Sequence, residues 1–295
     1  MGSWRTTAAG GLDFASFPLR LFQKAKRDGI WDPAAIDFAR DREDWLRLAD
    51  PERDLLLRLS TLFQAGEEAV TLDLLPLMRT VAREGRLEEE IYLTSFLWEE
   101  AKHVELFRRF LDQVAGARGD LAGYLPPSYA ALLDGELGPA LERLERDPSP
   151  EAQAEASVTY NMIVEGVLAE TGYRGYFTVL EGAGILPGMR RGVALLKQDE
   201  SRHIAYGVYL LSRLVAENGD PVWSAIERRF ETLLPLALGV VGEIFAPYET
   251  IPFGLSPDDF LGFATTQFQR RYERIERARR SAAATLAAEF EGDTE

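Results

Sequence analysis

The sequence contains no cysteine, only two histidines and no apolar stretch that would cross a membrane. Without thiols the chain can form no disulfides, thiolate zinc sites, iron–sulfur clusters or cysteine nucleophiles, so any metal site must use oxygen and imidazole ligands. Charged residues interrupt every apolar stretch before the roughly 20 residues of a membrane helix, and the amino terminus lacks a signal-peptide pattern. We therefore predict a cytoplasmic protein without a membrane span. The net charge of -15 disfavours nucleic-acid binding.

Helix signals dominate the chain, and its 46% hydrophobic and 27% charged residues are typical of a globular protein. Proline preceded by an acid or serine, a common helix start, recurs at Asp32-Pro33, Asp50-Pro51, Ser149-Pro150, Asp220-Pro221 and Ser256-Pro257. The predicted helices are 33–48, 51–83, 87–115, 127–146, 150–181, 187–217, 221–246 and 257–288. We expect one all-α domain over residues 1–295, with short amino- and carboxyl-terminal extensions.

Each histidine stands three places after a glutamate, in Glu100-x-x-His103 and Glu200-x-x-His203. Residues at i and i+3 share one face of a helix, so two such helices can present carboxylates and imidazoles to a common pair of metal ions. Chance would place both glutamates in about one sequence in a hundred, which leaves a tolerable false-positive risk. The pattern indicates a ferritin-like four-helix bundle core with additional helices.

Such a bundle needs one more glutamate from each of two other helices. On the 51–83 helix Glu67 falls at the edge of the apolar stripe, whereas Glu68 falls on the opposite side. On the 150–181 helix Glu165 falls in the middle of the stripe, where an unpaired charge would be costly. The same helical projection of residues 87–115 places Glu99 and Lys102 away from the face that carries the first motif.

The ordinary explanation of each residue is structural. A single Glu-x-x-His on a surface helix is usually a solvated pair, a buried histidine is usually hydrogen-bonded, and a buried glutamate often meets an arginine. Four inward glutamates without an inward lysine or arginine on the same stripes would repel one another, and two divalent cations would remove that repulsion. Oxygen-rich ligation suits iron and manganese, but the ligand types alone do not identify the metal.

The six candidate ligands are Glu67, Glu100, His103, Glu165, Glu200 and His203. Together with the strings Trp98 to Glu105 and Asp199 to His203, they resemble the ribonucleotide reductase small-subunit superfamily, from about residue 10 to residue 280. Within it the chain looks most like the ligand-binding oxidases. That resemblance implies a manganese/iron pair, with di-iron as the alternative, a long-chain fatty acid bound at the metals, dioxygen as oxidant and a homodimer.

The same resemblance implies an ether cross-link between Val70, three residues past Glu67, and Tyr160, five before Glu165. A regular helix turns Tyr160 about 140° away from Glu165, so a local helix irregularity or the reach of the tyrosine is required. On residue type alone, Val70 and Tyr160 are more often ordinary core residues.

Three departures separate the chain from radical-storing reductase subunits. Glu67 stands where many of them have aspartate, which discriminates weakly. Phe107, four residues past His103, stands where those subunits carry tyrosine. The stretch from Glu289 to Glu295 contains no tyrosine that could pass a radical to a large subunit. Export of a radical is therefore not expected, although phenylalanine at this position is also found in the manganese/iron reductase class.

We predict an oxygen-activating di-metal oxidase that performs two-electron C–H oxidation. Two alternatives remain open at this point: a manganese/iron ribonucleotide reductase small subunit, and a non-enzymatic carrier of metal or fatty acid. The 221–246 helix is apolar around much of its circumference, so other helices, a ligand or a second subunit must cover it.

Overall fold

The computed structural model describes residues 11–279 and Phe290, and this part of the chain contains helices and no strands. The α-helices are α1 (Phe17–Asp28), α2 (Ala39–Arg47), α3 (Asp50–Arg83), α4 (Leu87–Phe110), α5 (Pro127–Leu132), α6 (Gly138–Arg143), α7 (Pro150–Ser157), α8 (Glu170–Ala183), α9 (Pro187–Asn218), α10 (Asp220–Phe245) and α11 (Pro257–Ala278). Three π-helical segments extend or join them: Leu111–Ala115, Leu133–Leu137 and Val158–Ala169. Short 3-10 turns lie at Pro33–Ala35, Ala122–Tyr124 and Pro252–Gly254.

Four long helical units form the core: α3, α4, α9 and the continuous unit made of α7, the segment Val158–Ala169 and α8. Their inner faces belong to two clusters of buried apolar side chains. Helix α1 packs across α4 and α9, while α10 and α11 pack on the π-helical segment. The predicted all-α architecture, with a four-helix core and additional helices, is confirmed.

Near the amino terminus one helix prediction was wrong and one helix was missed. The predicted 33–48 helix is a 3-10 turn followed by α2, because Ile36 adopts an extended conformation (φ -74°, ψ 118°) that helps to bury Ile36 and Phe38. Helix α1 was not predicted, although it buries Phe17, Leu21 and Ala25 on one face. At the other terminus α11 ends at Ala278 and Arg279 forms a turn, while residues 280–288 of the predicted 257–288 helix lie outside the described residues.

The segment Val158–Ala169 is π-helical over twelve residues and carries both Tyr160 and Glu165. In a π-helix each N–H bonds to the carbonyl five residues earlier, so a turn holds more than four residues, and residues five apart lie much closer to the same side than in a regular α-helix. Tyr160 and Glu165 therefore share one face, and the helix irregularity required by their spacing is present. The whole stretch from Val158 to Val167 is buried, consistent with its position among the other core helices.

Helix α10 is covered by α5, α7, α11 and the π-helical segment, so neighbouring helices take up much of its apolar surface. Val240, Val241 and Phe245 on the same helix line a cavity described below. Within residues 11–279, no helix combines the length and apolarity needed to cross a membrane. The cytoplasmic location stays a prediction from the sequence.

Candidate metal centre

The structure brings all six sequence-predicted ligands together in the middle of the bundle. Glu67 comes from α3, Glu165 from the π-helical segment, and the two Glu-x-x-His pairs from α4 and α9. All six side chains are buried, and Glu68 is exposed as predicted. Two groups form, in each of which the potential ligand atoms lie within 4.8 Å of one another: Glu67, Glu100, His103 and Glu200, and Glu100, Glu165, Glu200 and His203. Glu100 and Glu200 belong to both groups.

Each histidine turns its Nδ1 atom toward three carboxylates. His103 Nδ1 lies 3.5 Å from an oxygen of Glu67 and 3.4 Å from one oxygen each of Glu100 and Glu200. His203 Nδ1 lies 3.2 Å from Glu100 Oε1 and 3.6 Å from one oxygen each of Glu165 and Glu200. Ligand atoms about 2.1 Å from one small divalent ion are about 3.0 to 3.4 Å apart for angles between 90° and tetrahedral. The observed separations are close to that spacing.

Several buried polar atoms of this cluster have no hydrogen-bond partner within the described residues. They are Nδ1 of both histidines, Oε2 of Glu100 and Glu200, and Oε1 of Glu165. Unpaired buried polar atoms are rare because each costs about 1 to 3 kcal/mol. Five in one cluster, all of them potential ligand atoms, fit a site for two cations, whose charge of four would balance the four carboxylates.

The pKa values in the cluster also indicate that the four carboxylates require positive charge nearby. Burial, reinforced by the charge of Glu100, raises the pKa of Glu67 well above its usual range, and burial with Glu200 raises the pKa of Glu165 to about 8. Burial opposes charge on His103, yet the surrounding carboxylates raise the pKa of this imidazole well above its ordinary value. Protons thus compensate the carboxylates when no cation does, and bound cations would replace them.

A second pair of carboxylates holds the outer nitrogens of the histidines, and it does so reciprocally. His103 on α4 places Nε2 3.3 Å from Oδ2 of Asp199 on α9. His203 on α9 places Nε2 2.9 Å from Oε2 of Glu99 on α4. A carboxylate at Nε2 favours the tautomer whose Nδ1 is free of a proton, which is the form that binds metal. We call this arrangement, made of Glu99, Asp199 and the two histidines, the reciprocal carboxylates.

Buried cations support the reciprocal carboxylates. Lys102 Nζ donates to Asp199 Oδ2 at 2.8 Å and to the Gly29 carbonyl at 2.6 Å, while Trp31 Nε1 donates to Asp199 Oδ2 at 2.8 Å. Arg202 donates to both Glu99 and Asp199. These contacts balance the two additional negative charges.

The prediction that Glu99 and Lys102 turn away from the site was therefore wrong. Both side chains are buried, because α1, α3 and α9 surround α4 on more sides than one apolar stripe reveals. A signal was present in the sequence: each motif carries an acid just before its glutamate and a base just before its histidine, as in Asp199 and Arg202 of the second motif.

The two candidate cross-linking residues both lie at this centre. The Tyr160 hydroxyl donates to Glu100 Oε1 at 2.8 Å, and the ring is fully buried. Val70 is buried on α3 and lines the same cavity as Glu67 and Glu100. Phe107, also buried, stacks on Phe63 with ring centroids 4.8 Å apart.

An apolar cavity of about 110 Å³ leads away from the carboxylates. By the measure in which one water needs roughly 10 to 15 Å³, it has room for about ten waters. Glu67, Glu100, Glu165 and Glu200 are its charged lining residues, and no lysine or arginine lines it within the described chain. Its other walls are largely apolar and include Leu55, Leu59, Phe63, Val70, Leu168, Val240, Val241, Ile244, Phe245 and Phe260.

Comparisons with known proteins agree with this centre. Residues 20–238 match the family model described as ribonucleotide reductase, small chain. The chain is similar to the R2-like ligand-binding oxidase from Sulfolobus acidocaldarius, with 40% identity, a TM-score of 0.88, and 96% of this chain and 98% of that chain covered. It is similar, at 36% identity and a TM-score of 0.88, to an R2-like ligand-binding oxidase with an aerobically reconstituted Mn/Fe cofactor, covering 94% of this chain and 99% of the other. The chain therefore belongs to the ribonucleotide reductase small-chain family and, within it, to the R2-like ligand-binding oxidases.

Proposed function

We propose that this protein is an oxygen-dependent oxidase that holds one manganese and one iron ion. The observation that carries the proposal is the pair of overlapping ligand groups, which share Glu100 and Glu200 and contain five buried polar atoms without partners. The similar oxidase with a reconstituted Mn/Fe cofactor supports this choice of metals. The two ions would supply the reduction of dioxygen and the removal of hydrogen from an unactivated C–H bond.

The roles of the six residues follow from which group each one joins. Glu100 and Glu200 belong to both groups, so they are the carboxylates that would be available to both ions. Glu67 with His103 would complete one site, and Glu165 with His203 the other. Asn161 holds the second site in place, because its Nδ2 donates to Glu165 Oε2 at 3.0 Å.

We propose a long-chain fatty acid as the ligand of the apolar cavity. Its carboxylate would lie at the metal end and its chain among the apolar walls, the arrangement expected of a mostly apolar pocket with a few polar groups at one end. The cavity lining contains four glutamates and, among the described residues, no basic side chain. Bound cations are therefore what would attract an anionic headgroup there.

We propose that the first oxidation joins Val70 to Tyr160. A C–H bond of Val70 and the O–H bond of Tyr160 break, a C–O bond forms, and two protons and two electrons leave, the electrons going to dioxygen. Glu100 Oε1, 2.8 Å from the Tyr160 hydroxyl, is the nearest acceptor for the phenolic proton. Burial raises the pKa of Tyr160 well above its usual range, with the carboxylates adding to the effect, so the phenol is protonated in the metal-free protein.

The test is to load metal-free protein with manganese and iron in air and digest it for peptide mass spectrometry. We expect a peptide containing Val70 joined to one containing Tyr160, lighter by two hydrogens than the two together. The linked species should be absent from protein loaded without oxygen and from the Tyr160→Phe variant.

The outcomes separate the proposed oxidase from its alternatives. Full metal loading and oxygen consumption without a linked peptide would refute the cross-link but would still support an oxidase. Metal or fatty-acid uptake without oxygen consumption would indicate a carrier. Binding of a large subunit with nucleotide reduction would indicate a reductase subunit.

We also propose that the protein forms a homodimer. Leu72 and Leu75 on α3 are exposed at 68% and 42%, and Trp98 on α4 at 43%, so these two helices offer apolar side chains that a second copy could cover. Light scattering should give twice the chain mass, and a Leu72→Glu, Leu75→Glu variant should give the monomer mass. A wild-type monomer at micromolar concentration would refute the dimer.

A further inference from the structure

A row of three tyrosine rings runs outward from the metal centre between α4 and α9. The rings of Tyr92 and Tyr206 have centroids 5.1 Å apart, and those of Tyr206 and Tyr209 are 6.4 Å apart. Tyr92 and Tyr206 are fully buried, whereas Tyr209 is partly exposed. We call these three residues the tyrosine row.

The inner end of the tyrosine row reaches the candidate ligands through one ring. Tyr92 lies 6.1 Å from Phe96, centroid to centroid. Phe96 is stacked on His203 at 3.6 Å with an interplanar angle of 8°, and it lies 5.8 Å from Tyr160. Aromatic rings this close are electronically coupled. Phe96 therefore connects the tyrosine row to His203 and Tyr160 at the metal centre.

The outer end of the row lies near the surface. The Tyr209 ring is 5.4 Å from Phe17 and 5.5 Å from Phe290. Among the described residues, Phe17 and Phe290 line a groove of about 720 Å³ between α1, α9 and α11. Between a redox partner in this groove and Tyr206 there would be two rings, that of Phe17 or Phe290 and that of Tyr209.

Tyr206 differs from Tyr92 in having a proton acceptor. Its hydroxyl donates to Glu89 Oε2 at 3.0 Å, and Glu89 is itself buried. Tyr92 has a buried hydroxyl with no partner among the described residues. A tyrosine gives up an electron readily only when its phenolic proton can leave at the same time. Of the two buried members of the row, Tyr206 is therefore the one equipped for reversible oxidation.

Two arginines flank the proton acceptor Glu89. Arg213 Nε lies 3.1 Å from Glu89 Oε1, and Arg86, with its side chain 32% exposed, lies 3.9 Å from the same oxygen. Arg86 in turn contacts Glu217 at 2.8 Å. The positive charges of Arg213 and Arg86 offset the negative charge of the buried Glu89 carboxylate, which lets it stay ionised and ready to accept the proton of Tyr206.

We infer that Tyr206 relays single electrons from the groove to the metal centre, with Glu89 holding its proton. This inference rests on the proposed oxygen-dependent function. In the inward step Tyr206 loses one electron to the oxidised centre and one proton to Glu89, and becomes a neutral tyrosyl radical. An external one-electron donor, such as a reduced flavin or iron–sulfur protein, then returns the electron while Glu89 returns the proton. One electron has moved inward, and Tyr206 is unchanged.

The relay would supply the electrons that repeated turnover requires. Reduction of dioxygen to water takes four electrons, of which the metal pair gives two and formation of the ether gives two. Once the ether is made, that second source is exhausted. Protein that is cross-linked, re-reduced and exposed to oxygen again must draw two electrons from elsewhere.

The test uses that second exposure. Full-length protein carrying manganese and iron is cross-linked in air, re-reduced, freed of reductant, mixed with oxygen and frozen at intervals for electron paramagnetic resonance. Ring-deuterated tyrosine identifies a tyrosyl signal beside those of the metals. We expect a tyrosyl radical in the wild type that is at least ten-fold weaker in Tyr206→Phe and also diminished in Glu89→Gln.

Two phenylalanine variants serve as controls. Tyr92→Phe keeps the ring and loses a hydroxyl without a partner, so the signal should persist. Tyr176→Phe loses a buried hydroxyl bonded to Ser60 at 2.7 Å, outside the row, and should also leave the signal unchanged. Metal content and melting temperature, measured on every variant, reveal a general loss of structure.

The possible failures are distinguishable. Oxygen consumption and an oxidised centre without a tyrosyl radical, or with an equal radical in Tyr206→Phe, would overturn the relay and leave the oxidase intact. Failure of the loaded wild type to consume oxygen in the first exposure would overturn the oxidase and the relay with it.

Discussion

The reciprocal carboxylates predict that a substitution on one helix weakens the metal site completed by the histidine of the other. In Glu99→Gln, the amide oxygen can still accept from His203 Nε2 at the observed 2.9 Å, but the negative charge that orients and polarises the imidazole is lost. Loss of such an outer partner typically costs ten- to hundred-fold in metal affinity, or about 1.4 to 2.7 kcal/mol. Complete burial of both residues favours the upper end of that range.

The assay is competition with a chelator for Mn²⁺, carried out on metal-free protein. Single-site backgrounds locate the effect. The His103→Ala variant retains the site of His203. Adding Glu99→Gln to it should lower the Mn²⁺ affinity by the expected ten- to hundred-fold. In His203→Ala, adding Glu99→Gln should change affinity by less than two-fold. Asp199→Asn should show the opposite dependence on background.

Glu68→Gln provides the matched control, because Glu68 lies next to Glu67 on α3 but is exposed. It removes the same charge at a similar place in the chain and should leave affinity unchanged. Equal losses in both single-site backgrounds would refute the reciprocal assignment and reduce the role of Glu99 to general electrostatics.

Three further predictions concern pH and close packing. Because the pKa of Glu165 is raised to about 8 in metal-free protein, chiefly by burial, an ion must displace a proton below that pH. Mn²⁺ affinity should therefore rise as the pH is raised toward 8, and a flat profile from about pH 6 to 8 would contradict this. In Gly29→Ala the new Cβ would lie 2.2 Å from Glu99 Oε1, so chelator competition should show weaker binding without any change of charge, whereas wild-type affinity would show that Glu99 is free to move. In Gly207→Ala the new Cβ would lie 2.2 Å from Cβ of Asn161 on the π-helical segment. Urea unfolding should therefore show a loss of about 1 to 3 kcal/mol in the free energy of unfolding. In the control Gly242→Ala no atom lies within 4 Å of the new Cβ, so the free energy of unfolding should be unchanged or higher.

The inward placement of the six candidate ligands could be predicted because two independent signals agreed on it. Helical periodicity placed Glu165 in an apolar stripe, and the cost of burying its charge then demanded a partner. The same projection failed for Glu99 and Lys102, because it assumes that a helix is buried on one side only. Helix α1, which covers the far side of α4 and supplies the Gly29 carbonyl to Lys102, was missing from the predicted fold.

The π-helical segment could be anticipated but not located. The spacing of Tyr160 and Glu165 conflicted with a regular helix, which indicated an irregularity somewhere near them. Whether the backbone forms bonds to the fifth residue depends on packing against α9, α10 and α11, and this information lies far away in the sequence. The close approach of Gly207 to Asn161 on that segment illustrates the point, because neither residue predicts the other.

The reciprocal carboxylates also bear on how the protein is made. His103 and His203 are one hundred residues apart in the chain, so at about 5 to 20 residues per second the second motif leaves the ribosome roughly 5 to 20 s after the first. During that interval His103 has no Asp199 to align it, and Glu100 has no Glu200 beside it. The nascent protein therefore lacks a complete site for a redox-active ion until most of its bundle has been synthesised, which delays oxygen chemistry until there is a fold to contain it.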